Sequence, residues 1–245
     1  MEHMNGEIKS PKALLVDLDD TIIGNEIMKV QCLYRTIDRF RTEMSHIEPV
    51  EFVETFLSLG ESFWSDMDRN RIWRMKLREA WKLIMEDVLL KLGIDDSNLA
   101  NKIANRYAKE RNDSLFLFQG SRETLEKLRQ SGVILSLLTN GNSETQREKI
   151  NRFSLEEFFD HIFIEGEVGI GKPDPRAYSN ALNVMGVNPS DTWMIGDNIQ
   201  LDVNQPQLMG IKGIWIDNKP YPGIKKDGIS PFHTVKSFHE VLSIM

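Results

Sequence analysis

Residues 13–21 read Ala-Leu-Leu-Val-Asp-Leu-Asp-Asp-Thr, and the predicted fold is organised around this stretch. Its four leading apolar residues predict a strand buried on both faces, as in a parallel sheet. The carboxylates of Asp17, Asp19 and Asp20 follow at once. Like charges this close raise each other's pKa unless a cation lies among them, and oxygen ligands suit Mg²⁺. The alternative is an acidic loop in which Asp20 or Thr21 caps the next helix.

Composition and charge disfavour several classes of partner. The chain has 245 residues and a net charge of −7, which argues against general binding to nucleic acids or membrane surfaces. No apolar run approaches the roughly 20 residues that span a bilayer, and the first ten residues lack the features of a secretory signal. The single cysteine, Cys32, excludes an internal disulfide framework. We therefore expect a cytoplasmic protein with no nucleic-acid partner and no membrane partner.

The hydrophobic period changes along the chain. Residues 24–115 follow the 3.6-residue period of amphipathic helices, whereas residues 116–245 alternate apolar strands with helices. Such alternation predicts a doubly wound parallel sheet of the Rossmann-like kind. More than a hundred residues separate Thr21 from the next long apolar run at Val133, although a crossover needs only about 30. The predicted fold is therefore α/β, with a catalytic core of residues 1–23 and 116–245 and a helical cap of residues 24–115 inserted after the first strand.

Several element boundaries are also predicted. The second helix of the helical segment is expected to end near Gly60, and a single long helix is expected from Trp73 to a stop at Gly93. Residues 199–209 are predicted to form a helix that Pro206 kinks or shortens. The last predicted strand covers residues 213–216.

Polar residues directly follow the apolar strands of the predicted core. Thr139 and Asn140 follow one strand, and Asp197 follows another. Because ligands of parallel sheets bind beyond the carboxyl ends of the strands, we expect these residues at the same sheet edge as Asp17 and Asp19. Each candidate also has a structural alternative when taken alone: a strand-to-helix turn for Thr139, Asn140 and Gly141, a solvated charge for Lys172 and a helix cap for Asp197.

Together these motifs resemble those of the haloacid dehalogenase superfamily of phosphohydrolases, over nearly the whole chain. The family's four motifs occur in the expected order: Asp17-Leu18-Asp19-Asp20-Thr21, Thr139 in Leu138-Thr139-Asn140-Gly141, Lys172 in Gly171-Lys172-Pro173-Asp174-Pro175, and Gly196-Asp197 with Asp202. The helical insertion between the first two motifs is similar to the family's C1-type cap. After the fourth motif the chain departs from the family's usual Gly-Ala and Ala-Gly pairs, and only Gly210 agrees.

The resemblance implies a role for each matching residue. Asp17 is expected to be the nucleophile that carries an aspartyl-phosphate intermediate, and Asp19 the general acid and base. Mg²⁺ is expected at Asp17, at Asp197 and at the backbone carbonyl of Asp19. Lys172 is expected to neutralise phosphate charge and to keep Asp17 ionised, with Asp202 as a partner of Lys172 rather than a metal ligand. The residues expected to bind the phosphoryl group are Leu18, Thr139, Asn140 and Lys172.

The expected function is Mg²⁺-dependent hydrolysis of a small soluble phosphomonoester, of the sugar phosphate or nucleotide type. The same residues suit a phosphotransferase such as a phosphomutase. The dehalogenase branch is disfavoured because its members lack the second aspartate and the metal. A different class, the non-catalytic signalling or binding module that carries a phospho-aspartate, combines similar residues. Receiver domains of that class are half this length and lack a helical cap. The expected partner is therefore a small phosphorylated metabolite, while the oligomeric state stays open.

Overall fold

The structure, a computed structural model, describes residues 10–218 and 228–245. Most of the first ten residues, on which the expectation of no secretory signal rests, lie outside these ranges. The chain forms two compact units. Of the described residues, one unit contains 10–24, 117–218 and 228–245, and the other is the continuous segment Asn25–Phe116.

Eight strands in the described residues form two sheets. In chain order they are β1 (Ala13–Val16), β2 (Ile23–Gly24), β3 (Phe116–Leu117), β4 (Ile134–Thr139), β5 (His161–Ile164), β6 (Thr192–Gly196), β7 (Lys212–Ile216) and β8 (His233–Val235). Six of them make one sheet in the order β5-β4-β1-β6-β7-β8, and all of its pairings are parallel. The other two strands, β2 and β3, pair with each other. Strand β1 therefore lies inside the large sheet, between β4 and β6.

The burial of β1 follows from its composition. All four of its residues have no solvent exposure. Because successive residues of a strand point to opposite faces, both faces of the sheet are covered at β1. On one face, Ala13 and Leu15 pack in a cluster with Tyr178 and Ala181. The apolar run that opens the first motif is thus buried on both sides, as the sequence predicts.

The unit Asn25–Phe116 is built from helices. They are α1 (Lys29–Asp38), α2 (Pro49–Ser65), α3 (Met67–Trp73), α4 (Leu77–Lys91) and α5 (Ser97–Asp113), preceded by a 3₁₀ turn at Glu26–Met28. Phe56 and Trp81 both pack edge-on against Tyr107, each with ring centroids 5.3 Å apart. These contacts join α2, α4 and α5 in one apolar core. Across residues 10–218 and 228–245, no helix combines the length and apolar character needed to cross a membrane.

The remaining helices belong to the unit that contains the large sheet. They are α6 (Ser121–Gln130), α7 (Ser143–Arg152), α8 (Glu165–Val168), α9 (Pro175–Met185) and α10 (Gln205–Leu208), with 3₁₀ turns at Glu156–Phe158, Pro189–Asp191 and Phe238–Ser243 and a π-helix at Ile199–Asn204. Helices therefore alternate with most of the parallel strands. The predicted α/β fold with a parallel, Rossmann-like sheet is confirmed.

Two predicted helix boundaries in the segment Asn25–Phe116 are wrong. Helix α2 continues through Gly60 to Ser65, because one helical glycine costs only about 1 kcal/mol and the buried apolar face of α2 offsets that cost. The single helix predicted from Trp73 is two helices, α3 and α4. They separate before Leu77 because Lys76 has φ −136° and ψ 55°, which lie outside the helical range.

Two predictions near the end of the chain also need correction. The helix predicted at residues 199–209 begins as the π-helix Ile199–Asn204 and becomes α-helical only at α10. Pro206 lies in the first turn of α10, which has only four residues and ends at Leu208. A sixth sheet strand, β8, follows the strand that was predicted to be the last.

The π-helix lies directly against β7, and Gly213 permits this approach. A Cβ atom at Gly213 would lie 2.7 Å from the Cα atom of Val203, so a side chain there would displace the backbone. We expect Gly213→Ala to lower the free energy of unfolding by about 1–3 kcal/mol. Gly60→Ala is the matched control, since a Cβ there meets nothing within 4 Å and helix propensity favours alanine. Chemical denaturation of both variants tests this, and equal stabilities would contradict it.

Candidate active site

The polar residues predicted at strand ends do lie at one edge of the large sheet. Strand β1 pairs in parallel with β4 and β6, so the residues at and beyond their carboxyl ends are neighbours. Asp17 follows β1, Thr139 ends β4 and Asp197 follows β6. The sheet extends one residue further through the Asp17 N–H, which donates to the Ile195 carbonyl at 2.9 Å. All three residues are buried to more than nine tenths.

Lys172 joins this edge from the loop between α8 and α9. Its Nζ donates to Asp17 Oδ1 at 2.6 Å and to Asp202 Oδ1 at 2.7 Å. Lys172 and Asp202 are each only 1% exposed. A buried ammonium is tolerated only when it is paired, so these two carboxylates determine where Lys172 lies. Asp202 therefore contacts Lys172, as the resemblance implies.

The carboxylates of Asp17 and Asp202, which both contact Lys172, lie in an environment that favours protonation. Burial raises the pKa of Asp17 to about 6; the Lys172 charge opposes this shift, and the negative charges of Asp197 and Asp19 add to it. Burial likewise raises the pKa of Asp202 to about 6, with Lys172 again opposing. Burial also disfavours the ammonium of Lys172, but the two carboxylates outweigh it and raise the pKa of Lys172. Asp17, Asp197 and Asp202 together therefore carry more negative charge, when ionised, than Lys172 can neutralise.

The position of Asp202 depends on the π-helix and on a glycine. Asp202 Oδ2 accepts from the Asn198 N–H at 3.0 Å, while the Asn198 side chain accepts from the N–H groups of Gln200 and Leu201 at 3.1 Å. A Cβ atom at Gly196 would lie 2.2 Å from Asp202 Oδ2. The glycine before Asp197 is therefore needed so that the Asp202 carboxylate can reach Lys172. π-Helical turns of this kind are frequent at functional sites.

Three carboxylates at this edge fit a divalent cation. Oxygen atoms of Asp17, Asp197 and Asp202 all lie within 4.8 Å of one another, and an all-oxygen donor set suits Mg²⁺. Both oxygens of Asp202 already accept hydrogen bonds, from Lys172 and from Asn198. Asp202 is therefore a poorer candidate for a metal ligand than its position alone indicates. The Asp197 backbone is fixed by the Trp215 indole, which donates to its carbonyl at 2.9 Å.

Asn140 holds the backbone of Lys172 with both ends of its amide. Its Oδ1 accepts from the Lys172 N–H at 2.8 Å, and its Nδ2 donates to the Lys172 carbonyl at 2.8 Å. The next residue, Gly141, donates its N–H to the buried Glu165 carboxylate at 3.0 Å. A Cβ at Gly171 would lie within 2.7 Å of both Glu165 and Asn140. The Asn140 side chain therefore positions Lys172, a contact that the sequence did not reveal.

Asp19 does not belong to the cluster of Asp17, Asp197 and Asp202. Its side chain faces α7. Lys149 Nζ donates to both of its oxygens, at 2.7 and 2.8 Å, and Gln146 Nε2 donates to Oδ2 at 3.1 Å. Gln146 Nε2 also donates to the Thr139 hydroxyl at 2.7 Å. Neither Gln146 nor Lys149 was predicted. The available signal was their spacing, since residues three apart share one face of a helix, and that face of α7 also carries the buried Ile150.

Comparison with known sequences places the chain in a family. The sequence model of the haloacid dehalogenase-like hydrolases matches residues 11–204, and a second model, described as HAD-hydrolase-like, matches residues 169–241. The first match covers more than half of the chain and includes all four motifs.

Several relatives are named as phosphatases. Phosphoserine phosphatase of Thermus thermophilus is 36% identical over 154 residues, which is 63% of this chain and 56% of that enzyme. The chain thus matches little more than half the length of this relative. Human N-acylneuraminate-9-phosphatase is 25% identical over 235 residues, 96% of this chain and 93% of the human protein. These names support a phosphohydrolase.

Solved structures agree on the fold. The Bacillus subtilis protein YfnB, whose crystal structure was determined with bound magnesium, has a TM-score of 0.75 to this chain at 20% sequence identity. That comparison covers 96% of this chain and 99% of YfnB. Because the identity is low, the likeness speaks for the fold alone. Because the family model matches residues 11–204, and because the fold agrees with that of YfnB, the chain belongs to the haloacid dehalogenase-like hydrolase family.

Proposed function

We propose that this chain is a cytoplasmic, Mg²⁺-dependent phosphatase that hydrolyses a small soluble phosphomonoester through an aspartyl-phosphate on Asp17. The observation that carries the proposal is the bridge from Lys172 to Asp17 and Asp202, beside Asp197. It holds one carboxylate at the end of the central strand β1, next to a charge-compensating ammonium and a second carboxylate suited to a metal. A nucleophilic carboxylate needs such an environment to approach a phosphate dianion.

The proposed reaction has two steps, formation of the aspartyl-phosphate and its hydrolysis. A carboxylate oxygen of Asp17 attacks phosphorus, the bond to the leaving oxygen breaks, and Asp19 gives that oxygen a proton. Asp19 then takes a proton from water, whose oxygen attacks phosphorus, and the bond to Asp17 breaks with release of inorganic phosphate. Uncatalysed hydrolysis of phosphomonoesters is among the slowest biological reactions. Charge neutralisation and in-line positioning therefore have to supply most of the acceleration.

The residues around Asp17 are suited to bind the phosphoryl group. The Thr139 oxygen accepts from Gln146. Its own O–H donates to the Asn140 carbonyl over a long 3.5 Å, so we propose that a phosphoryl oxygen takes over this donor when substrate binds. The backbone of Leu18 and Asn140 and the charge of Lys172 complete the proposed phosphate site. Mg²⁺ held by Asp17, Asp197 and the backbone carbonyl of Asp19 would neutralise the phosphate and fix its orientation.

We expect the leaving group, not the phosphate, to distinguish the substrate. The two phosphatases compared above are named for phosphoserine and for an N-acylneuraminate 9-phosphate, and both names describe small monoesters. For this chain we propose a substrate of the sugar phosphate or nucleotide type. The helical segment Asn25–Phe116 begins shortly after Asp19 in the sequence and ends before Thr139. We therefore propose that it acts as a cap that selects the leaving group.

Replacement of the nucleophile should abolish turnover. Asp17→Asn keeps the shape of the side chain but supplies an amide, which is a poor nucleophile. We expect less than about 1% of the wild-type rate of phosphate release from p-nitrophenyl phosphate. Asp38→Asn, at the exposed end of α1, removes the same charge and should keep full activity.

Two results would contradict this assignment. Substantial activity of folded Asp17→Asn would show that another group is the nucleophile. A wild-type chain that takes up one phosphoryl group and retains it would be a signalling module instead. Release of inorganic phosphate, compared with transfer to an added sugar phosphate, separates the phosphatase from a phosphomutase.

Metal binding should depend on pH. The pKa of Asp17 is about 6 without metal, so its carboxyl is mostly protonated at pH 5 and mostly ionised at pH 7. Only the ionised form is a good ligand for Mg²⁺. We therefore expect the rise in melting temperature caused by Mg²⁺ to be larger at pH 7 than at pH 5. Asp197→Asn should reduce this rise at both pH values, whereas Asp38→Asn should not.

Activity gives a second measurement of the same metal. We expect excess chelator to abolish phosphate release and added Mg²⁺ to restore it. Full activity in chelator, or a Mg²⁺-induced rise in melting temperature that is greater at pH 5, would show that the carboxylates do not bind the metal.

The proposed cap is tested by comparing two substrates. A panel of phosphorylated metabolites assayed for phosphate release first identifies the best substrate. Alanine variants of exposed apolar residues in the segment, Val30, Tyr34, Met67 and Ile72, are then assayed on that substrate and on p-nitrophenyl phosphate. We expect at least one variant to lose about tenfold or more in kcat/KM on the metabolite alone. Equal effects on both substrates at all four positions would show that the segment is only structural.

A further inference from the structure

The carboxylate of Asp19 is bound from one side by a single helix. Lys149 contacts both of its oxygens and Gln146 contacts one of them. The Lys149 ammonium has three N–H donors. It meets three acceptors within 2.8 Å: the two oxygens of Asp19 and the side-chain oxygen of Gln146. The charge of Lys149 is therefore directed at Asp19 and not at a phosphate.

The three partners of this contact are buried unequally. The Lys149 side chain is 8% exposed, whereas the Asp19 side chain keeps 26% of its surface in solvent. Gln146 is buried, with 2% of the residue exposed. A buried ammonium needs a compensating charge, so Lys149 strongly favours one orientation of the Asp19 carboxylate. The exposed part of that carboxylate is the part that a substrate or a water molecule can reach.

Helix α7 is itself fixed to the sheet edge. It begins four residues after Thr139, the last residue of β4, and Asn142 caps it by accepting from the Thr145 N–H at 2.8 Å. Gln146 and Lys149 lie on one face because residues three apart are neighbours on a helix. Gln146 also donates to the Thr139 hydroxyl. The same amide thus connects the proposed phosphate-binding threonine with the support of Asp19.

We propose that Lys149, held by Gln146, is a positioning residue for Asp19. The proposal rests on the proposed function, in which Asp19 transfers the proton in both steps. Lys149 restricts rotation of the Asp19 carboxylate and places its exposed oxygen toward the reacting atoms. Side-chain entropy that is already lost in the resting enzyme does not have to be lost during the reaction.

The chemistry predicts an uneven effect on different substrates. A phenolate leaving group is a stronger base than p-nitrophenolate, so phenyl phosphate depends more on protonation by Asp19 than p-nitrophenyl phosphate does. Hydrolysis of the aspartyl-phosphate needs Asp19 with either substrate. If the Asp19 carboxylate loses its orientation, cleavage of the ester should therefore slow mainly for phenyl phosphate. Hydrolysis of the aspartyl-phosphate should slow for both substrates.

The test uses the full chain with Mg²⁺ and these two aryl phosphates. We expect Lys149→Met to lower kcat/KM for phenyl phosphate by about tenfold more than for p-nitrophenyl phosphate. With p-nitrophenyl phosphate, rapid mixing should show a burst of about one nitrophenolate per chain before a slow steady rate, because the aspartyl-phosphate accumulates.

Two variants make the test specific. Arg147→Met removes a cation from the same helix, but Arg147 pairs with Glu167 at the surface, so both substrates should behave as in the wild type. Gln146→Met removes the support of Lys149 and should change the substrate ratio in the same direction by a smaller factor. It decides the question if Lys149→Met does not fold.

The outcomes separate this inference from the proposed function. Failure of the wild type to hydrolyse either ester would overturn the proposed function. Wild-type hydrolysis of both esters with an equal loss on both in Lys149→Met and Gln146→Met, and no burst, would overturn the positioning role alone. An uneven loss with a burst in Lys149→Met, absent from Arg147→Met, supports it.

Discussion

The buried ammonium of Lys172 is the constraint on which the site depends. It is almost fully removed from water, so its stability requires the carboxylates of Asp17 and Asp202. These partners come from the end of β1 and from the π-helix, while Lys172 comes from a third segment. Loss of the Lys172 charge would leave two buried carboxylates without compensation. One electrostatic requirement thus holds together three parts of the chain that are remote in sequence.

The charge balance at this edge explains its chemistry. Asp17, Asp197 and Asp202 bring three carboxylates close together, and Lys172 neutralises one. Burial is the main cause of the raised pKa values of Asp17 and Asp202, and the charges of neighbouring carboxylates raise them further. A phosphate dianion would be repelled by such a group unless a further cation were present. The arrangement around the proposed nucleophile, Asp17, is therefore also the one that fits the proposed metal.

Most strands of the large sheet could be predicted because they follow from local sequence patterns. The apolar runs of β1, β4 and β6 predicted the sheet, and the polar residues after them predicted which side chains meet at one edge of it. The π-helix was not predictable from periodicity, because it depends on hydrogen bonds of Asn198 with the backbone of its first turn and with Asp202. Strand β8 has only three residues and a polar, exposed centre at Thr234. The spacing of Gln146 and Lys149 indicates only that they share one helix face. Their contacts with Asp19 and Thr139 depend on how α7 packs.

The two-stranded sheet formed by β2 and β3 has a consequence for chain entropy. It brings together the residues that lead into and out of the segment Asn25–Phe116. Once that segment has folded, the flexible loop that must close when β1 pairs with β4 shrinks from more than a hundred residues to about 25, the length of an ordinary crossover. The entropic cost of closing a loop grows with the logarithm of its length, so the shorter loop lowers this cost by about 1 kcal/mol. A long insertion at this point thus adds little to the entropic cost of forming the central strand pair.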